Sequence, residues 1–141
     1  MPSESKNNSL DTQCPTNAIM ITTLFKPAPL KPPVTFGDME KLDVRVGTIL
    51  SVEDVNGSNK LVRLKVDFGD HTRNILVGMK DERPNPQMIA GRQALFVVNL
   101  PPKKIMGEIS EGMLFDIGYA DGVSPALAVP EHPVPNGTRA G

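Results

Sequence analysis

Glycine and proline interrupt this sequence so often that long helices have no room to form. The 141 residues include 12 glycines and 14 prolines, well above the share found in an average globular protein. Proline lacks a backbone donor and glycine loses more conformational entropy on folding, so both residues weaken the interior of a helix. The sequence therefore predicts short strands joined by many turns and argues against a helical bundle.

Alternating hydrophobicity indicates where the strands lie. Residues 61–69, LVRLKVDFG, are expected to turn four apolar side chains toward a core: Val62, Leu64, Val66 and Phe68. The preceding segment, residues 42–55, carries a second apolar set that we expect on one inward face: Val44, Val46, Leu50 and Val52. Gly47 lies within that segment and favours a bulge or sharp bend.

The order of the predicted elements is typical of one barrel architecture. A short helical turn is expected after Thr35, which has capping-box spacing to Asp38. Three strands, a short helix near residues 87–90 and two further strands follow, the last two near 93–100 and 112–119. This order predicts an all-β fold, a five-stranded OB-fold barrel with a short helix between strands three and four. An SH3-like barrel or a β-sandwich remains open from the spacing alone.

Composition divides the chain into three parts. Residues 1–34 predict a polar, proline-rich arm, because prolines 27, 29, 32 and 33 favour polyproline II. An apolar patch at residues 19–25 of this arm is expected to add an edge strand or to pack on a partner. Residues 35–118 predict the barrel, and residues 119–141 a C-terminal extension that we expect to form a dimer interface.

Several function classes are disfavoured by what the sequence contains. The single cysteine, Cys14, and the two histidines provide no convincing zinc set, and no nucleophile or phosphate-binding motif is present. No apolar run is long enough to span a membrane, and no secretory signal is recognisable. We therefore expect a cytoplasmic protein that is not an enzyme, binds no metal or cofactor and has no membrane partner.

Charge is distributed unevenly along the chain. Residues 41–104 hold eleven Lys and Arg against seven acids, whereas residues 105–141 hold one Arg against five acids. This asymmetry permits a polyanion-binding face on a protein with a net charge of −1.

The segment NLPPKKIMGEISEGML, residues 99–114, offers the clearest candidate site, and two interpretations are open. Lys103 and Lys104 could hold a phosphate while Ser110 and Met113 approach a base. Alternatively, the segment is a hairpin whose lysines are merely solvated and whose apolar side chains are core: Ile105, Met106 and Met113.

Together with LDVRVGTIL (42–50) and NKLVRLKVDFG (59–69), this segment resembles the tRNA-binding domain family. The family includes free-standing proteins, the C-terminal module of methionyl-tRNA synthetases and part of the bacterial phenylalanyl-tRNA synthetase β chain. The resemblance covers residues 35–139 and implies an OB barrel with RNA contacts at Lys60, Ser110 and Met113. It also implies that Lys103 and Lys104 are the family's basic residues after strand four. Val77-Gly78-Met79 departs from the family's usual Ser-Gly-Ile, and the loop 81–86 is also unusual.

The resemblance implies structure-directed, non-catalytic tRNA binding by a homodimer, with an aminoacyl-tRNA synthetase as a further partner and no DNA. Aromatic residues make up only 4% of the chain, so backbone charge rather than base stacking must provide most of the affinity. The alternative is the family's export-related chaperone branch, which would bind unfolded or presequence peptides. Such peptides would need a flexible methionine groove, for which four residues are candidates: Met79, Met88, Met106 and Met113.

Overall fold

The computed structural model describes residues 25–141. Most of the expected arm, including residues 19–24 of its apolar patch and Cys14, lies outside the described residues. Residues 25–32 contain no helix or strand and are exposed, and they belong to a different compact unit from residues 33–141. The fold described below is that of residues 33–141.

The elements confirm the expected all-β class. Helix α1 (Phe36–Glu40) begins after Thr35, whose hydroxyl oxygen accepts a hydrogen bond from the backbone N–H of Asp38, as the capping spacing predicts. Ten strands follow: β1 (Val44–Asp54), β2 (Leu61–Asp67), β3 (Thr72–Gly78), β4 (Gln93–Val97), β5 (Lys103–Ile105), β6 (Glu108–Ser110), β7 (Met113–Leu114), β8 (Asp116–Ile117), β9 (Ala126–Leu127) and β10 (Arg139–Ala140). The predicted short helix before β4 is a 3₁₀ turn, Pro86–Ile89, and a second 3₁₀ turn spans Tyr119–Asp121.

The main sheet is antiparallel and has the strand order β3-β2-β1-β4-β7. Strand β1 is long enough to pair with β4 through its first half and with β2 through its second half. Between β3 and the segment that follows β6, the backbone N–H of Glu111 donates to the carbonyl of Asn74 over 2.9 Å. This bond brings the far edge of the sheet back toward β7, as an OB-type barrel requires.

The inward face of β1 differs from the expected one at Ile49 and Leu50. Its register against β2 shifts between Ile49 and Ser51, which is a β-bulge. Ile49 is fully buried and Leu50 is 47% exposed, and the extra residue then returns Val52 to the core. The prediction that Leu50 faces the core is therefore wrong. Gly47 is not the bulge either; it lies where β1 comes close to Val66 and Phe68.

The core confirms the alternation predicted for β2. Val62, Leu64, Val66 and Phe68 are all buried, and Phe96 of β4 meets Phe68 edge to face with ring centroids 5.6 Å apart. This continuous apolar interior fixes which side chains of β2 and β3 point outward, and therefore which ones can meet a ligand.

The end of the chain packs against the barrel. Strand β10 pairs with the start of β1, and Gly137 N–H donates to the Val46 carbonyl over 2.7 Å. The side-chain amide of Gln93 donates to the Val134 carbonyl and to Asn136 Oδ1. Part of the predicted extension is thus integral to the barrel. Among the described helices, none is long and apolar enough to cross a membrane.

Candidate nucleic-acid interface

The loop between β1 and β2, residues 55–60, is a tight turn that presents one lysine. Ser58 Oγ accepts hydrogen bonds from the backbone N–H groups of Lys60 and Leu61, and Val55 is buried beneath the turn. The carbonyl of Lys60 accepts from Lys80 N–H. These bonds hold the backbone of Lys60, while its side chain is exposed to solvent.

The predicted basic segment forms the hairpin β5–β6, residues 103–110. Ile105 pairs with Glu108, so Met106 and Gly107 are the two residues of the connecting turn. Both have positive φ, at 52° and 81°, as expected for a two-residue hairpin turn. The segment is therefore a hairpin, but Met106 and Met113 are 55% and 46% exposed rather than core, and the role of the lysines stays a prediction.

The two lysines of the hairpin lie on opposite faces. Lys103 pairs with Ser110 and Lys104 pairs with Ile109. Because side chains alternate along a strand, Lys103 shares the face of the buried Ser110, and Lys104 shares that of the exposed Ile109. A bound RNA would therefore contact the two lysines on different faces of the hairpin.

Ser110 occupies a structural position at the base of the hairpin. It is 5% exposed, and its Oγ accepts a hydrogen bond from Leu76 N–H over 3.0 Å while donating to the Gly112 carbonyl over 3.1 Å. Direct contact with RNA would require one of these bonds to open. Met113, in β7 beside Val97, presents part of its side chain to solvent.

Acidic side chains near the two loops are occupied by internal partners. Arg63 of β2 binds both carboxylate oxygens of Glu108 over 2.8 Å and one oxygen of Glu53 over 2.9 Å. Lys80 lies 3.3 Å from Asp54. The hydrogen bonds to Glu108 and then to Glu53 raise the pKa of Arg63, so its charge is retained.

Four exposed lysines of the two loops and β2, by contrast, form no ion pair among residues 25–141. They are the three predicted contact residues and one more on the outward face of β2: Lys60, Lys103, Lys104 and Lys65. With the nearby acids neutralised, the two loops and β2 present net positive charge. OB folds bind oligonucleotides with this same region, the face of strands two and three together with the loops that flank it.

The tips of the two loops approach each other. A Cβ added to Gly57 would stand 3.6 Å from the methyl group of Met106, so the hairpin turn lies beside the 55–60 turn. The bidentate contact from Arg63 to Glu108 holds the same hairpin over β2. The structure therefore brings the loop of Lys60 and the hairpin of Lys103 and Lys104 to one end of the barrel.

Arg63, Lys65 and Arg73 lie beside the predicted contact residues, although the sequence assigns them no site role. Arg73 lies over the Phe68 ring at 6.0 Å from its centroid, and its Nη1 donates to the carbonyls of Val98 and Glu111. Outward alternation on β2 marks Arg63 and Lys65 as surface residues. No sequence signal relates Arg63 to Glu108, which lies 45 residues away.

Met79 is not available for a peptide groove. It is fully buried in the core, so its assignment to an exposed methionine surface is wrong. The other three candidates are exposed, Met88 most of all at 74%. Met106 lies in the hairpin turn, and Met113 in β7.

A buried ionic cluster lies apart from the lysines. Arg83 Nη1 is 3.7 Å from Glu82 Oε1, Arg83 Nη2 is 4.0 Å from Asp116 Oδ1, and all three side chains are 14% exposed. Burial, and then the charge of Asp116, raises the pKa of Glu82. Burial also raises the pKa of Asp116, so the attraction to Arg83 does not offset the loss of hydration.

Among residues 25–141, no group of three or more His, Cys, Asp or Glu side chains is placed to hold a metal ion.

Comparison with known proteins identifies the family. The crystal structure of a MetRS-related protein from Pyrococcus horikoshii is 34% identical, with a TM-score of 0.71 over 78% of this chain and 99% of that one. The chaperone CsaA from Bacillus anthracis str. Ames is 31% identical, with a TM-score of 0.67 over 78% of this chain and 100% of that one. The C-terminal domain of Plasmodium vivax p43 is 27% identical, with a TM-score of 0.65 over 72% and 61%. Residues 44–139 match the family model of the tRNA binding domain, so this chain belongs to the tRNA-binding domain family.

Proposed function

We propose that this protein binds tRNA without catalysing a reaction, using the 55–60 loop, the 103–110 hairpin and the outward face of β2. Lys60, Lys103 and Lys104 would neutralise phosphates, and Met113 would pack against the nucleic acid. Ser110 would act mainly by holding the hairpin base. We place this activity in the cytoplasm, where tRNA is used, and propose that it assists an aminoacyl-tRNA synthetase.

The proposal rests on one observation: the acids near the two loops have ion-pair partners, and the lysines of the loops do not. The carboxylates of Glu53, Asp54 and Glu108 each have a basic partner, whereas the lysines of both loops have none among the described residues. A surface arranged in this way attracts a polyanion, because phosphates meet positive charge without facing bare carboxylates.

The mode of binding follows from what the surface does not contain. Residues 55–67, 72–78 and 103–114 include no aromatic side chain on which a base could stack. Affinity would then come from phosphate charge and RNA shape, and it would fall steeply with salt.

A tRNA titration at several salt concentrations tests the proposal. Lys60→Glu should lower affinity at least tenfold, about 1.4 kcal/mol, because it removes one cation and adds a repulsion. Replacing Lys103 and Lys104 together with Ala should reduce the salt slope by roughly one to two phosphate contacts. The matched control is Arg92→Ala, which removes an exposed cation outside both loops. Equal affinity and slope in all four proteins would refute the proposed surface.

We also propose that the protein is a homodimer joined largely through its C-terminal extension, residues 119–141, together with the adjoining residues 115–118. Four large apolar side chains lie exposed on or beside the β8–β9 hairpin: Phe115, Ile117, Tyr119 and Val129. A second copy is the occupant that we favour, since a dimer would also double the number of phosphate contacts on one tRNA.

Peptide chaperoning is the second candidate, and the exposed Met106 and Met113 favour it together with the similarity to CsaA chaperones. Binding of unfolded or presequence peptides would depend on apolar burial, which salt does not screen. Lys60→Glu should therefore leave suppression of client aggregation unchanged. Lost client protection with unchanged tRNA affinity would reverse the order of the two functions.

A further inference from the structure

The 103–110 hairpin contacts the barrel at three points: its base, its middle and its tip. At its base, Ser110 Oγ accepts from Leu76 N–H. Along its length, Glu108 accepts two hydrogen bonds from Arg63. At its tip, the Met106 methyl lies beside the Gly57 turn. A hairpin with three-residue strands and a two-residue turn has only marginal stability by itself, so its orientation depends on these attachments.

Arg63 has little capacity left for a phosphate. Nη1 contacts both oxygens of Glu108, while Nη2 and Nε both donate to Glu53 Oε1 over 2.9 and 3.3 Å. All three guanidinium nitrogens are thus engaged with a carboxylate. An approaching phosphate would also meet the two carboxylates that surround this side chain.

The backbone of Met106 also indicates that the tip of the hairpin is held against the 55–60 loop. Its φ of 52° lies in the left-handed region, which glycine and asparagine adopt more readily. The turn nevertheless carries methionine, whose length lets its methyl group reach the 55–60 loop. Asparagine would suit the turn but would be too short to make this contact.

We propose that Arg63 is a positioning residue, which acts through Glu108 to hold the 103–110 hairpin against the 55–60 loop. The two lysine-bearing loops are then held in place before RNA arrives, and less ordering entropy is lost on binding. This role rests on the proposed function, whereas the attachment of the hairpin can be tested without any RNA.

Limited trypsin digestion measures the attachment directly. Trypsin cuts after Lys103 and Lys104 only when the hairpin opens, and mass spectrometry identifies those cuts. Arg63→Met and Glu108→Gln should each accelerate them by about fivefold, as expected for loss of a bidentate, half-buried ion pair. Cleavage after Arg45 or Lys65, inside the main sheet, should keep its wild-type rate and so exclude global unfolding. Wild-type cutting rates at both hairpin lysines would overturn the proposal.

Binding of bulk tRNA then distinguishes positioning from direct contact. Arg63→Met should weaken binding roughly three- to tenfold with an unchanged salt slope, whereas loss of a phosphate contact lowers the slope by about one. Glu108→Gln should also weaken binding, although it removes a negative charge. Arg92→Met and Glu131→Gln, outside both loops, control for the changes in net charge. Tighter binding by Glu108→Gln, or a reduced slope in Arg63→Met, would overturn the positioning role.

The two proposals fail in different ways. Suppose that the wild-type protein binds no tRNA while trypsin cuts the variants faster. The proposed function and the role of Arg63 in RNA binding would then be refuted, whereas the attachment of the hairpin through Arg63 would be supported. If wild-type binds tRNA as expected and the Arg63 and Glu108 variants bind equally well, only the positioning role falls.

Discussion

Gly47 lies where the backbone of β1 comes close to the side chains of Val66 and Phe68. A Cβ added there would stand 2.5 Å from Val66 Cγ1 and 2.8 Å from Phe68 Cε1. Both neighbours are fixed in the core, so neither can move away cheaply. We expect Gly47→Ala to lower the free energy of unfolding by about 1–3 kcal/mol through overpacking.

Urea denaturation checks this expectation, and Gly78 provides the matched control. A Cβ on Gly78, at the end of β3, would have no neighbour within 4 Å. Gly78→Ala should therefore change stability by no more than about 0.5 kcal/mol. Similar losses for the two variants would show that β1 is not tightly packed at Gly47.

Ile49 and Leu50 test the bulge in β1. Ile49→Ala removes a fully buried side chain and should cost about 2–5 kcal/mol. Leu50→Ala truncates a half-exposed one and should cost about 1 kcal/mol or less. Both stability losses are measured from shifts in the denaturant midpoint, provided that the m value, the slope of the unfolding free energy against denaturant concentration, is unchanged. A larger loss at Leu50 would mean that the strand alternates without a bulge.

At the scale of elements, the loop between β3 and β4 contributes a pH dependence through Glu82. Because burial holds the pKa of Glu82 above its ordinary value of 4.5, its ionised form opposes folding. Wild-type stability is therefore lost as the pH rises from about 4.5 through the raised pKa. Glu82→Gln cannot ionise, so its stability relative to wild type should increase over that range and then level off.

Urea midpoints between pH 4 and pH 7 measure this difference. Glu131→Gln removes an exposed acid elsewhere and is the control for the loss of one carboxylate. A stability difference between Glu82→Gln and wild type that does not change with pH would contradict the assigned cause.

Most elements could be predicted from the sequence because alternation and turn residues are local signals. The inward set of β2, the cap at Thr35 and the short helix before β4 all follow from neighbours in the chain. The bulge at Leu50 could not be predicted, since it appears only in the pairing of β1 with β2. The same limit applies to the site: Lys60, Lys103 and Lys104 stand out by type, whereas the Arg63–Glu108 pair depends on tertiary packing.

For the whole molecule, the exposed apolar side chains around the β8–β9 hairpin predict association. Light scattering at micromolar concentration should give twice the 15.2 kDa mass of one chain. Ile117→Asp, at a position 54% exposed, should shift the mass toward the monomer without unfolding the barrel. Leu50→Asp, an exposed apolar position on β1, is the control and should stay dimeric. A wild-type mass of one chain would refute the dimer.

The pairing of β10 with the start of β1 has a consequence for how this barrel can be reused. Val44 lies opposite Ala140 and Arg45 opposite Arg139, so the chain enters and leaves the barrel at one place. A domain whose two ends are adjacent can be inserted into a surface loop of another protein without changing the distance between the two ends of that loop. For the same reason, a short peptide could join the two ends and new termini could be opened in an exposed turn, which gives a circular permutant with the same strands in a different chain order.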